Sequence, residues 1–113
     1  MIGCDIIEIS RIEQSLERFG ESFLQRILTE KELEIYNSKG KKAEFVAGRF
    51  AAKEAISKAM GTGIGRGFDF TDIEILPDDL GKPEVYLKGE KSFEYEVSIS
   101  HSKENAMAVS LKK

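Results

Sequence analysis

Apolar and polar positions alternate at the start of the chain. Ile2, Cys4 and Ile6, with Ile7 and Ile9 beside them, form a short run that predicts a first β-strand. Ser10 and Glu13 make an S-x-x-E capping box, so a helix is expected to open there, with Ile12, Leu16 and Phe19 on one face and Gly20 as its stop. A second short helix is expected over 21–27. Thr29 with Glu32 repeats the capping box and opens a third helix through Leu33 and Tyr36, followed by a polar loop over 37–42. Residues 43–60 carry the strongest helical pattern: rich in Ala, Lys and Glu, free of Pro, with Phe45, Ala52, Ile56 and Ala59 at helical spacing. Gly48 within it marks a place of close packing, and the glycine-rich stretch 61–67 ends it.

The second half changes period. Ile73 and Ile75, then Val85 and Leu87, read as two strands around a turn over 77–83. Residues 97–101 and 106–111 read as two more, joined by the hairpin connection 102–105. A strand, then helices, then several strands gives an α+β fold, with the long helix packed on a small, mainly antiparallel sheet. The 113 residues fit one domain spanning 1–113. Charged residues make up 33%, above the ordinary ~25%, yet 17 basic against 20 acidic residues leave a net charge of −3. That argues against a generic nucleic-acid binder, although local basic patches remain open. No apolar run approaches the ~20 residues of a membrane span, and no export signal is read at the N-terminus, so a cytoplasmic protein is expected. The single cysteine, Cys4, can form neither an internal disulfide nor a thiolate metal cage and is expected to be a small apolar filler.

Candidate chemistry concentrates between Arg49 and Arg66. Arg49, Lys53 and Ser57 stand four apart on one side of the long helix, and Glu54 and Lys58 form a second row beside them. The helix runs into Gly61, Gly63, Gly65 and Gly67, whose backbone could approach an anion. Spacing alone leaves two readings open: a phosphate cradle, or a solvated helix face with Gly61 as its C-cap. Neither the Walker A nor the dinucleotide fingerprint fits, because the glycines follow a helix instead of opening one after a strand. Asp5 lies within an apolar strand, where a carboxylate is costly to bury without a partner. It is either an exposed strand end or one half of a Mg²⁺ site with Glu54. His101, the only histidine, is either a hydrogen-bonded residue near a strand end or a ligand contact. No G-x-S-x-G elbow surrounds a serine, and with no Trp a glycosidase cleft has no support.

Four segments together resemble the holo-[acyl-carrier-protein] synthase family of the 4′-phosphopantetheinyl transferases. They are Gly3-Cys4-Asp5-Ile6 with Glu8 and Arg11; Phe23 through Arg26 with Leu28 and Thr29; Gly48-Arg49-Phe50-Ala51-Ala52-Lys53-Glu54-Ala55 through Lys58 and Gly61-Thr62-Gly63-Ile64; and Val97-Ser98-Ile99-Ser100-His101-Ser102. The family usually opens G-I-G-x-D, whereas this chain has Met1-Ile2-Gly3, so a short first strand is expected. The resemblance implies transfer of the 4′-phosphopantetheine arm of coenzyme A to a serine of acyl carrier protein. That reaction converts the apo to the holo form in fatty acid biosynthesis and releases adenosine 3′,5′-bisphosphate. It further implies Asp5 and Glu54 as Mg²⁺ ligands. Lys58 and the loop residues Gly61, Thr62, Gly63 and Gly65 would lie near the pyrophosphate, with Arg49, Lys53 and His101 as other phosphate contacts. Whether Glu54 or a hydroxide held at the carboxylate pair takes the serine proton stays open.

A homotrimer with sites between subunits is implied too, in keeping with a domain too small to enclose coenzyme A. Arg11 would meet the acidic carrier protein, and Arg18, seven residues on, would extend that patch. Two rival readings are a non-catalytic coenzyme A or nucleotide-binding module, and a structural interaction domain. The first leaves the paired carboxylates without a purpose, and a thermal shift with Mg²⁺ and coenzyme A discriminates the second.

Overall fold

The computed structural model describes all residues, 1–113. Strand β1 (Ile2–Glu8) runs directly into helix α1 (Ile9–Phe19), followed by α2 (Glu21–Ile27), α3 (Glu30–Ser38) and the long α4 (Ala43–Met60). A short 3₁₀ turn, Phe70–Asp72, leads into β2 (Ile73–Pro77), β3 (Pro83–Leu87), the two-residue β4 (Glu90–Lys91), β5 (Tyr95–His101) and β6 (Asn105–Lys112). The strands form two antiparallel three-stranded sheets, ordered β1-β6-β5 and β2-β3-β4, where the sequence suggested one. No helix is long and apolar enough to cross a membrane.

Helix α4 is the axis of the molecule. It packs against β1, β6 and β5 on one side and against α1, α2 and β2 on others. Val46, Ala47, Ala51, Ala52, Ala55, Ile56 and Ala59 are all buried, as a helix enclosed nearly all round requires. Small residues make the enclosure possible. A Cβ on Gly3 of β1 would lie 2.0 Å from the Ala55 carbonyl oxygen, and one on Gly48 would lie 3.1 Å from Ile99 on β5. The inward residues of β6 opposite α4 are likewise small, Ala106 and Ala108.

Both caps in the first half were open to test. Thr29 and Glu32 form the reciprocal capping box at α3. Ser10 and Glu13 do not form one: α1 starts at Ile9 with Glu8 as its N-cap and no side-chain cap, because the Ile9 amide already donates to the Glu104 carbonyl at 2.8 Å. Ile12 is buried as expected, but Phe19, at the end of the same stripe, is exposed.

β1 is a full strand, paired along its whole length with β6, and not the short one expected. Its burial is the reverse of what its apolar alternation suggests. Gly3, Asp5 and Ile7 face α4, while Ile2, Cys4 and Ile6 face outward. Cys4 is therefore exposed, not an apolar filler. In the register Ile2–Leu111, Cys4–Val109 and Ile6–Met107 the outward residues of the two strands are neighbours. Ile2 and Ile6 are 70% and 68% exposed, and Met107, Val109 and Leu111 about 40%. The outer face of this sheet is a continuous apolar patch, of the kind that marks an interaction surface.

Candidate active site

The close approach of β1 to α4 at Gly3 brings Asp5, two residues along the same strand face, to the open edge of the helix. There it meets Glu54 and Lys58. The Lys58 ammonium donates to Asp5 Oδ1 at 3.1 Å and to the Cys4 carbonyl at 3.0 Å. Asp5 and Glu54 line one cavity of ≈450 Å³, with Arg11 of α1 at its rim. Loss of solvent raises the Glu54 carboxyl above the ordinary carboxylate range. The Asp5 charge raises it further, and Lys58 opposes both. Two carboxylates and Arg11 share a cavity open to solvent, and Lys58 holds Asp5 from beside it.

One residue along the helix the environment is inverted. Lys53 is fully buried, and its ammonium donates to Glu32 Oε1 at 2.6 Å and to the Ile27 carbonyl at 2.5 Å. Glu32, also fully buried, accepts from the Thr29 amide at 2.9 Å and from the Ile75 amide at 2.9 Å. Thr29 in turn donates its hydroxyl to Glu74. Burial pushes the Lys53 pKa below its ordinary value, while the Glu32 charge pulls it back up. Lys53 is thus not a phosphate contact. Its charge is spent on a buried carboxylate, and no part of it reaches solvent. Sequence reasoning saw Glu32 only as the N3 residue of a capping box. Its second role depends on Lys53, twenty-one positions away, and carries no local signal.

The glycine loop needs a similar correction. Gly61 is a left-handed C-cap with φ 85°. Its amide donates to Lys58 O, those of Thr62 and Gly63 to Ser57 O, and that of Gly65 to Phe68 O. The first three amides close the helix end and the Gly65 amide a turn beyond it, so the expected N–H cradle is not formed by them. What the loop offers at Gly63 and Gly65 is open space, with nothing within 4 Å of an added Cβ. Arg49 and His101 both line a second cavity of ≈300 Å³, together with Lys39, Lys42 and Glu44. His101 is half exposed, with Nδ1 3.7 Å from Glu44. Arg18 lies exposed on α1 with its guanidinium over Phe19 and does not line the Asp5 cavity.

Residues 1–110 match the family model of the 4'-phosphopantetheinyl transferase superfamily. A holo-[acyl-carrier-protein] synthase of Geobacillus sp. (strain WCH70) is 53% identical over 109 residues, covering 95% of this chain and 90% of that protein. The chain belongs to the superfamily. Solved members share its fold. The Bacillus anthracis holo-(acyl-carrier-protein) synthase in complex with CoA (3',5'-ADP) superposes with a TM-score of 0.83 at 52% identity, covering 96% of this chain and 91% of that one. The Helicobacter pylori synthase in complex with coenzyme A gives 0.87 at 37% identity, with both chains covered completely.

For a phosphopantetheinyl transferase the donor set at Asp5 and Glu54 can be tested against a divalent cation. No group of three or more His, Cys, Asp or Glu side chains is gathered anywhere in the chain, so a closed protein cage is absent. Two carboxylates in an open cavity fit a hard cation that takes its remaining ligands from water and substrate oxygens, the habit of Mg²⁺.

Proposed function

We infer that this chain is a holo-[acyl-carrier-protein] synthase: it transfers 4′-phosphopantetheine from coenzyme A to a serine of acyl carrier protein. The observation that carries this reading is the meeting of Asp5 and Glu54 at one cavity, with Lys58 bonded to Asp5 beside it, in a chain that matches such synthases over nearly its whole length. The reaction joins the serine oxygen to the β-phosphorus of coenzyme A and breaks that phosphorus's bond to adenosine 3′,5′-bisphosphate, supplying holo carrier protein for fatty acid biosynthesis.

Each residue's role follows from its surroundings. Glu54, at the open cavity where the serine oxygen would enter, accepts the serine proton as the oxygen attacks. Lys58, half exposed on a flexible stem, leaves Asp5 to follow the charge that builds on the departing phosphate. Asp5 and Glu54 would hold Mg²⁺, which when bound neutralises charge on the pyrophosphate oxygens. Arg49 and His101, in the separate cationic cavity, hold the remaining anionic group of the donor, its 3′-phosphate. The Gly61–Thr62–Gly63–Gly65 loop supplies room beside the pyrophosphate.

Arg11, exposed at the rim of the Asp5 cavity, is placed to contact an acidic carrier protein as its serine enters, with Arg18 further along α1. The apolar outer face of β1 and β6 supports self-association. Its occupant is read as two further copies of the chain in a homotrimer, with β5 bringing the cavity of His101 and Arg49 to the donor in a neighbour's site. The reaction is assigned to the cytoplasm. The test is mass spectrometry of apo carrier protein incubated with the chain, coenzyme A and Mg²⁺. A phosphopantetheine-sized increase on the acceptor serine supports the reading, and an unchanged mass refutes it.

A further inference from the structure

Arg49 is held from behind. Its Nε donates to the Ile75 carbonyl at 3.1 Å and stands 4.0 Å from Glu32 Oε2, the oxygen that also accepts the Ile75 amide. Its guanidinium lies over the Phe45 ring, 4.5 Å from the centroid. That Nε bond is the only hydrogen bond it makes within the chain. Because no buried side-chain nitrogen or oxygen lacks a partner, the guanidinium's two terminal nitrogens are the part that reaches the surface, where the side chain is 12% exposed and lines the cavity shared with His101. One edge of the fork is fixed and the other is free for a ligand. A carboxylate that attracts the whole group from the protein side also sets where the free edge points.

Glu32 is the one residue that reaches every part of this arrangement. It grips Lys53 on α4, the strand β2 at Ile75 and the chain at Thr29, and it faces Arg49 one turn before Lys53. We propose that Glu32 is a positioning residue for donor selectivity: with Lys53 as its counter-ion, it fixes the Nε edge of Arg49 so that the terminal edge meets the 3′-phosphate of coenzyme A. This rests on the assignment of Arg49 to that phosphate, which the experiment checks separately.

The test compares coenzyme A with 3′-dephospho-coenzyme A as donors in steady-state transfer. In Glu32→Gln the amide turns a donor toward one of the donors Glu32 now accepts from, which loosens Arg49. KM for coenzyme A should rise about tenfold, while KM for the dephospho donor and kcat for both stay within about twofold. Loss of a buried charge can also cost the fold, so Glu32→Met with Lys53→Met serves beside it. Replacing a buried ion pair by apolar residues of similar volume is often neutral for stability, but here the Thr29 and Ile75 amides and the Ile27 carbonyl lose partners, so folding is confirmed by circular dichroism before the assay. This folded double variant should show the same fall, about tenfold, in the preference for coenzyme A.

General loosening of the fold would affect both donors alike and would leave that preference intact. If the double variant retains the parent's preference while Arg49→Met loses it, Arg49 binds the phosphate and the positioning role of Glu32 is overturned. If Arg49→Met itself keeps the preference, the assignment of Arg49 fails and the proposal fails with it.

Discussion

Lys53 and Glu54 are adjacent on α4, yet the clusters they anchor differ in every physical respect. Lys53, Glu32 and Arg49 lie on the side of the helix turned toward α3 and β2, where Glu32 and Lys53 are sealed from water. Every carboxylate oxygen there has a protein partner. Glu54, Asp5 and Lys58 lie on the side turned toward β1, with Lys58 half exposed and an open cavity beside them. A step of about 100° around the helix separates a lock from a reactive site. One carboxylate between two cations stands against two carboxylates beside one lysine, so charge balance and water access both set the clusters apart. A buried pair whose bonds are all met has nothing left to offer a ligand, whereas two carboxylates at an open cavity, only one of them bonded to Lys58, retain oxygens for a cation or a proton.

That contrast can be broken at the lock first, where the largest effect is expected. Lys53→Met strands the Glu32 charge in the interior and should cost about 4 kcal/mol of unfolding free energy in urea titration. Companion replacement of Glu32 by Met should restore only part of it, because the Thr29 and Ile75 amides then lack their acceptor. A single variant as stable as the parent would mean the pair contributes no constraint.

The junction between β1 and α4 comes next. Gly3→Ala drives a Cβ to within 2.0 Å of the Ala55 carbonyl, against backbone that cannot turn aside. A loss of about 3 kcal/mol is expected, with transfer activity falling further than stability because Asp5 moves with the strand. Equal activity at saturating Mg²⁺ and substrates would separate the Asp5 position from the Gly3 contact.

A weaker effect is expected at the outer sheet face. Met107→Glu places a charge in the patch formed with Ile6; if that face carries the proposed self-association, the change should weaken it by roughly 2 kcal/mol per contact, seen as smaller species in sedimentation at matched concentration. Unchanged sedimentation would overturn the role proposed for that face.

The smallest effect sharpens the reactive side. The Glu54 pKa is raised in the folded chain, so the folded state holds that proton more tightly than the unfolded one. Stability therefore falls as pH rises from the ordinary carboxylate range through the raised value, and the cost is fully present above it. Glu54→Gln should melt slightly above the parent at neutral pH, and calorimetry should show that advantage vanishing as the pH drops toward the ordinary carboxylate range.

Much of this was readable in the chain and some was not, for identifiable reasons. The bounds of α2 and α4 and the Thr29–Glu32 cap follow from local signals: spacing, a capping box, glycines at the ends. Asp5 stood out because a carboxylate interrupts an apolar strand. Lys53 misled because a lysine among alanines reads as solvated, and its partner comes from another element. The direction of β1 misled because α4 approaches so closely that glycine takes the core position. The apolar alternation Ile2–Cys4–Ile6 is thereby turned outward, where only a partner could cover it. The glycine loop read as an anion cradle because its flexibility is visible in sequence, whereas the hydrogen bonds that use its amides are not.

The division of labour between the two neighbours is tested most directly by following phosphopantetheine transfer to apo carrier protein by mass spectrometry, with Glu54→Gln beside the parent and Mg²⁺ and coenzyme A in excess. The expected result is a variant that melts no lower than the parent and transfers about 100-fold more slowly or worse. A folded Glu54→Gln that loads the carrier at the parent's rate would contradict the account.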